Sequence, residues 1–84
     1  MKQIRLSKHA QVQCWERGTI ELEVVHVIRT GTCQKAKAGR FKYQATFQYD
    51  AVWHGKFYTL KKVAAIVAET ELELVVITVY TFYF

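Results

Sequence analysis

The chain predicts an α+β domain of order β-α-α-β-β-β(-β), with two N-terminal helices packed on an antiparallel sheet. Three observations carry that prediction. Helix start and stop signals crowd the first third of the sequence, with Ser7 and Gly18 bracketing one helix and Thr19 and Gly31 a second. From Thr32 onward the apolar residues recur at every second position instead of every third or fourth. Helices come first and strands follow, which is the α+β order and not the alternation of a parallel fold. With 84 residues there is room for one domain, spanning 1–84, and 51% apolar residues are too many for a disordered chain.

Residues Gln3–Leu6 predict a short first strand. Ser7 is a helix N-cap, and Lys8–Arg17 follow with helix-compatible residues until Gly18. On that helix His9, Gln13 and Arg17 share one stripe, while Ala10 and Cys14 form a small apolar stripe beside it. Thr19 is placed to cap the second helix, with Glu21 and Glu23 in its first turn facing the helix dipole. Ile20, Val24, Val27 and Ile28 mark its buried face, and Arg29 and Gly31 its end. Val24–Ile28 is β-branched enough for a strand, but the terminal signals favour helix.

Thr32–Lys37 predict a strand that turns at Ala38-Gly39. Phe41, Tyr43, Ala45, Phe47 and Tyr49 then alternate with Lys42, Gln44, Thr46 and Gln48, giving one apolar and one wet face. Asp50–Trp53 extend this strand irregularly to a turn at His54-Gly55. Phe57–Ala68 and Leu72–Phe82 predict the last two strands, paired antiparallel through short turns. In the final strand Val75, Ile77 and Val79 are expected to point one way, and Leu74, Val76, Tyr80 and Phe82 the other. Two helices cover one face of such a sheet. The opposite face is expected to expose apolar groups, which predicts a protein partner or a homodimer there, unless Tyr83 and Phe84 fold back over it.

Twelve Lys and Arg against seven Asp and Glu favour a polyanionic partner, such as nucleic acid or an acidic protein. Lys35, Lys37, Arg40 and Lys42 flank one turn, and Lys56, Lys61 and Lys62 flank the next. Together with Tyr43, Trp53 and Tyr58 they are expected to form one basic, aromatic edge that tracks phosphates and stacks bases. A charged edge that prevents sheet-to-sheet aggregation is the competing explanation. Cys14 and Cys33 match neither a disulfide framework nor a CxxC pair, and the N-terminus carries no apolar signal region. Both features predict a cytoplasmic protein with two reduced, packed thiols. The apolar run Leu74–Phe84 is too short to span a bilayer as a helix, so no membrane association is expected.

Ser7-Lys8-His9-Ala10, Glu16-Arg17-Gly18 and, near the C-terminus, Ile77-Thr78-Val79-Tyr80 resemble the landmarks of a small domain family of unknown function. That family is similar in architecture to the RelE- and BrnT-like toxins of toxin–antitoxin modules. The resemblance implies a metal-independent endoribonuclease, without cofactor, neutralised by an antitoxin. It also implies an arginine where this chain has Gln13, a departure that separates RNA binding from RNA cleavage.

Cleavage requires a base for the ribose 2′-hydroxyl, an acid for the leaving oxygen and a cation for the phosphate. His9 is the candidate base or acid, Arg17 the phosphate clamp, and Tyr80 a stacking or proton-donating group. Each has a structural alternative: His9 bonding a backbone carbonyl, Arg17 satisfying carbonyls or an acidic group of the sheet, and Tyr80 packing in the core. His26 and His54 are expected in solvent. The histidines and cysteines lack metal-ligand spacing, so no metal site is expected. Ser7, the only serine, is used as a cap, which leaves no serine nucleophile. Neither helix carries a basic recognition face for duplex DNA. A non-catalytic interaction module sharing the fold is the alternative to the toxin-like reading.

Overall fold

The computed structural model describes residues 2–84. Strand β1 (Gln3–Leu6) leads into helices α1 (Lys8–Arg17) and α2 (Glu21–Thr30), followed by β2 (Thr32–Lys35), β3 (Phe41–Trp53), β4 (Lys56–Glu69) and β5 (Glu73–Tyr83). The five strands form one sheet in the order β1-β5-β4-β3-β2. Both helices lie on one face, α1 against β5 and α2 against β4 and β3. This is the α+β arrangement that the change of period predicts. The second helix forms where β-branching allowed a strand, because Val24, Val27 and Ile28 reach the sheet only at helical spacing.

The sheet is mixed, not wholly antiparallel. β2 to β5 pair antiparallel, but β1 runs parallel to β5, with Leu6 opposite Val76. No hairpin joins β1 to β5, so nothing forces them to run in opposite directions. Arg5–Glu73 and Lys2–Glu69 ion pairs reinforce this junction, at 3.0 and 2.6 Å.

Helix α1 begins as expected, with the Ala10 N–H donating to Ser7 Oγ at 3.1 Å. It ends at Gly18, whose φ of 74° is left-handed and where a side chain would strike the Tyr83 hydroxyl and the Trp53 ring. Thr19 does not cap α2. Its hydroxyl donates instead to the Glu23 carboxylate at 2.7 Å, and Ile20 begins the helix without a side-chain cap. At the far end, Gly31 packs directly against the Gln44 carbonyl, where no Cβ fits.

The core lies between the helices and the sheet. Ala10 and Cys14 of α1 and Val24, Val27 and Ile28 of α2 meet Leu6, Val63, Ala65, Val67, Val76 and Val79. Full burial of each valine contributes about 1.5–3 kcal/mol. Cys14 is the packed thiol that was expected, with burial pushing it above its ordinary pKa, helped by Glu21 and Glu23. Cys33, by contrast, is exposed on edge strand β2.

The facing of β5 departs from simple alternation. Val67 pairs with Val76 and Ile66 with Thr78, so the register slips by one residue around Ile77. Val76 and Val79 therefore both face the helices, while Val75 lies on the same side as Tyr80 and Phe82. A second irregularity between Gln48 and Ala51 places Asp50 at a φ of 46°. His54 and Gly55, with φ of 49° and 82°, form the tight turn between β3 and β4.

Beyond Val76 the outer edge of β5 has no strand beside it, and α1 takes that place. The Val79 N–H donates to Gln13 Oε1 at 2.8 Å, and Arg17 donates to the Val79 carbonyl at 2.7 Å. Thr81 and Tyr83 hydroxyls donate to the Arg17 carbonyl at 2.9 and 2.7 Å. Gln13 and Arg17 thus do for Val79 what a neighbouring strand would do. No described helix is long and apolar enough to cross a membrane.

Candidate nucleic-acid interface

The face of the sheet away from the helices is uncovered. Its cross-strand rows are Lys42–Ile66–Thr78, Gln44–Ala64–Tyr80 and Thr46–Lys62–Phe82, on β3, β4 and β5. Tyr83 lies on the helix side and Phe84 only extends the pairing, its N–H donating to the Leu60 carbonyl at 3.1 Å, so neither folds back over this face. Tyr80 and Phe82 stand side by side, 41% and 46% exposed.

Each ring has a cation against it. The Arg17 guanidinium lies 5.3 Å from the centre of Tyr80, and the Lys62 ammonium 4.9 Å from the centre of Phe82. Tyr80 is therefore an exposed ring of the open face and not a core residue. Phe82 was read from sequence only as an apolar strand residue. The pattern that could have identified it is Lys and Phe at facing positions of adjacent strands, which requires knowing the register.

The basic residues do not converge as expected. Lys35, Lys37 and Arg40 surround the β2–β3 turn, and Lys56 the β3–β4 turn, at opposite ends of β3. Thirteen strand residues separate those ends by roughly 40 Å. Lys42 and Lys62 both lie on the open face, four positions apart in register, because Lys62 pairs with Thr46.

Lys61 does not belong to a nucleic-acid surface at all. It is 4% exposed and faces the helices, donating to the Glu23 carboxylate at 2.8 Å and to the Gly18 carbonyl at 3.1 Å. Burial raises the Glu23 pKa, but hydrogen bonds from Lys61 and Thr19 and the Lys61 charge outweigh it, holding Glu23 below the usual carboxylate range. Strand alternation explains the split between neighbours: Lys61 and Lys62 must point to opposite faces.

His9, Arg17 and Tyr80 are not gathered into one site. His9 is exposed in the first turn of α1 and has no hydrogen-bond partner among the described residues. Arg17 lies eight positions along the same helix, about 12 Å away along its axis, and its guanidinium is held by the Val79 carbonyl. Gln13, which shares their stripe, is buried and bound to the Val79 N–H. The arrangement joins Arg17 to Tyr80 and leaves His9 apart.

An aromatic column occupies the other side of the β3–β4 end. Trp53 stacks on Tyr83 at 5.1 Å and on His54 at 4.2 Å, with Tyr49 and Tyr58 against Tyr83. Burial, then Tyr49, raises the Tyr83 pKa. This column packs over Gly18 and closes the helix end of the core. Of the aromatic residues assigned to the basic edge, Trp53 and Tyr58 are committed here. Tyr43 packs against the core on the helix side.

Further apolar side chains stand on the outer surface of the helices, Trp15 at 85% and Leu22 at 76% exposure. Among the described residues no concave pocket forms and no three His, Cys, Asp or Glu side chains converge. No family model, curated protein or solved structure matches the chain.

Proposed function

We propose that this domain binds single-stranded RNA across the open face of its sheet. The observation that carries the reading is the pair Tyr80 and Phe82, two exposed rings at alternate positions of β5, each flanked by a cation. Alternate positions lie about 7 Å apart, a spacing that two splayed nucleotides can follow while each base stacks on one ring. Lys62 and Lys42 are positioned to meet phosphates beside those bases. Thr46 and Gln48, both exposed, supply hydrogen-bonding groups on the adjoining strand. The excess of positive charge, with three cations in ion pairs among the described residues, steers a polyanion toward the protein.

Binding is favoured here over cleavage. His9 stands apart from Arg17, and Arg17 already serves the Val79 carbonyl, so no base and phosphate clamp meet. A toxin-like ribonuclease with a neutralising protein partner requires those groups to converge on one phosphate.

Fluorescence anisotropy with a labelled, mixed-sequence RNA in EDTA tests both points. Tyr80→Ala and Phe82→Ala are each expected to weaken binding about 5- to 150-fold, since a base–aromatic stack is worth ~1–3 kcal/mol. The RNA should remain intact throughout. Unchanged affinity in both variants, or an absence of binding by the parent protein, would refute the proposal.

A further inference from the structure

The open face is charged unequally at its two ends. Arg40 lies in extended backbone just before β3, and its carbonyl accepts from the Ala36 N–H at 2.8 Å, so it continues the β2–β3 ladder by one step. Strand alternation puts its side chain on the same side as Lys42, which pairs with Ile66 in a row of the open face. Arg40 is exposed and, among the described residues, in ion-pair contact with no carboxylate. Glu69, the acid of β4, pairs with the core-packed Leu74 on the helix side and is taken up by Lys2 at 2.6 Å. Lys35 stands beside the same turn but pairs with Phe41, out of phase with Lys42, and therefore faces the helix side.

At the far end of the face, past the row of Thr46, Lys62 and Phe82, Gln48 donates to the exposed Asp50 carboxylate at 2.7 Å. A phosphate chain is repelled there and attracted at Arg40, which gives a bound strand its direction. Tyr80 and Arg40 are separated by four residues along the strands and two strand spacings across, about 17 Å on the diagonal. Lys42 lies between their rows. At the ~7 Å that separates Tyr80 from Phe82, the gap takes two or three further nucleotides.

Resting on the RNA-binding reading, we infer that the site is a single-strand track of about five nucleotides, running from Phe82 over Tyr80 and past Lys42 to end on Arg40. The two rings hold bases at one end. Arg40 holds a phosphate at the other through its planar fork of donors. The partner is a continuous unpaired segment and not a duplex, whose paired bases cannot splay out to stack on the rings. Arg40 sets the length of that segment, and Lys35 takes no part in it.

Anisotropy competition with oligouridylates of graded length, for the parent protein, Arg40→Ala and Lys35→Ala, tests this. The parent should gain affinity steeply from the trimer to about the pentamer and little beyond. On the octamer, Arg40→Ala should weaken binding about three- to fivefold and flatten the slope of log affinity against log salt by about 0.7. On the trimer, seated on the rings, it should change neither. Lys35→Ala removes an equal charge beside the same turn and should cost the octamer far less. Equal octamer losses in the two variants, a trimer weakened by Arg40→Ala as much as the octamer, or a parent that gains nothing beyond the trimer overturns the track while RNA binding itself stands. If the parent binds no length, both readings fall together.

Discussion

At the level of single residues, the sharpest case is Lys61. From sequence it was one of two adjacent lysines, indistinguishable from Lys62 as a phosphate ligand. Their separation follows from strand alternation once the face of β4 is known, and that face depends on a register that composition does not reveal. The Lys61–Glu23 pair makes a pH prediction. Glu23 has a lowered pKa when folded, so on acidification the unfolded chain takes up its proton first, near the ordinary carboxylate value of about 4.3. Its contribution is therefore complete above that pH and is lost as pH falls through the folded value. Urea unfolding should show Glu23→Gln costing about 2 kcal/mol at neutral pH, with the difference from the parent narrowing in acid. Lys61→Met should cost less, since water can reach the part-exposed carboxylate that remains, but not a buried ammonium. A larger loss for Lys61→Met would contradict this asymmetry.

Among the elements, those with strong local signals were legible. β1, both helices and the long hairpin β3–β4 lie within a few residues of where caps, turns and period placed them. What was not legible depends on partners distant in sequence. The slip around Ile77 has no glycine or proline to announce it, so the two faces of β5 could not be assigned by counting. Gln13 looked like one member of a functional stripe. Its place beside Ala10 and Cys14, on the buried side of α1, was the available hint that its amide would serve the sheet. That role predicts a local effect. Gln13→Ala leaves the Val79 N–H without its acceptor, which costs about 1–3 kcal/mol, and should accelerate hydrogen exchange at Val79 more than at amides held between strands. Gln13→Glu retains an acceptor and should exchange more slowly at Val79 than the alanine variant. Equal exchange in both variants would mean that the edge of β5 is protected by something other than α1.

For the molecule as a whole, the arrangement divides labour between the two sides of one sheet. The helix side holds the valine core, the Lys61–Glu23 pair and the Trp53–Tyr83 column, while the other side keeps Tyr80, Phe82, Lys42 and Lys62 available. The sequence foresaw an uncovered face with aromatic groups, but it placed the cations on a single edge. They lie instead at both ends of β3 and on the open face. If phosphates contact the open-face lysines, raising salt should weaken RNA binding, and Lys42→Ala with Lys62→Ala should flatten the slope of log affinity against log salt by about 1.4 for single-stranded RNA.

The central claim, that RNA lies across the open face, is tested most directly by mapping amide chemical shifts during titration of isotopically labelled protein with a single-stranded RNA octamer. The account predicts perturbations in Lys42–Gln48, Leu60–Ile66 and Thr78–Phe82. Perturbations confined to the turn at residues 35–40, or to the outer helix surface around Trp15 and Leu22, would contradict it.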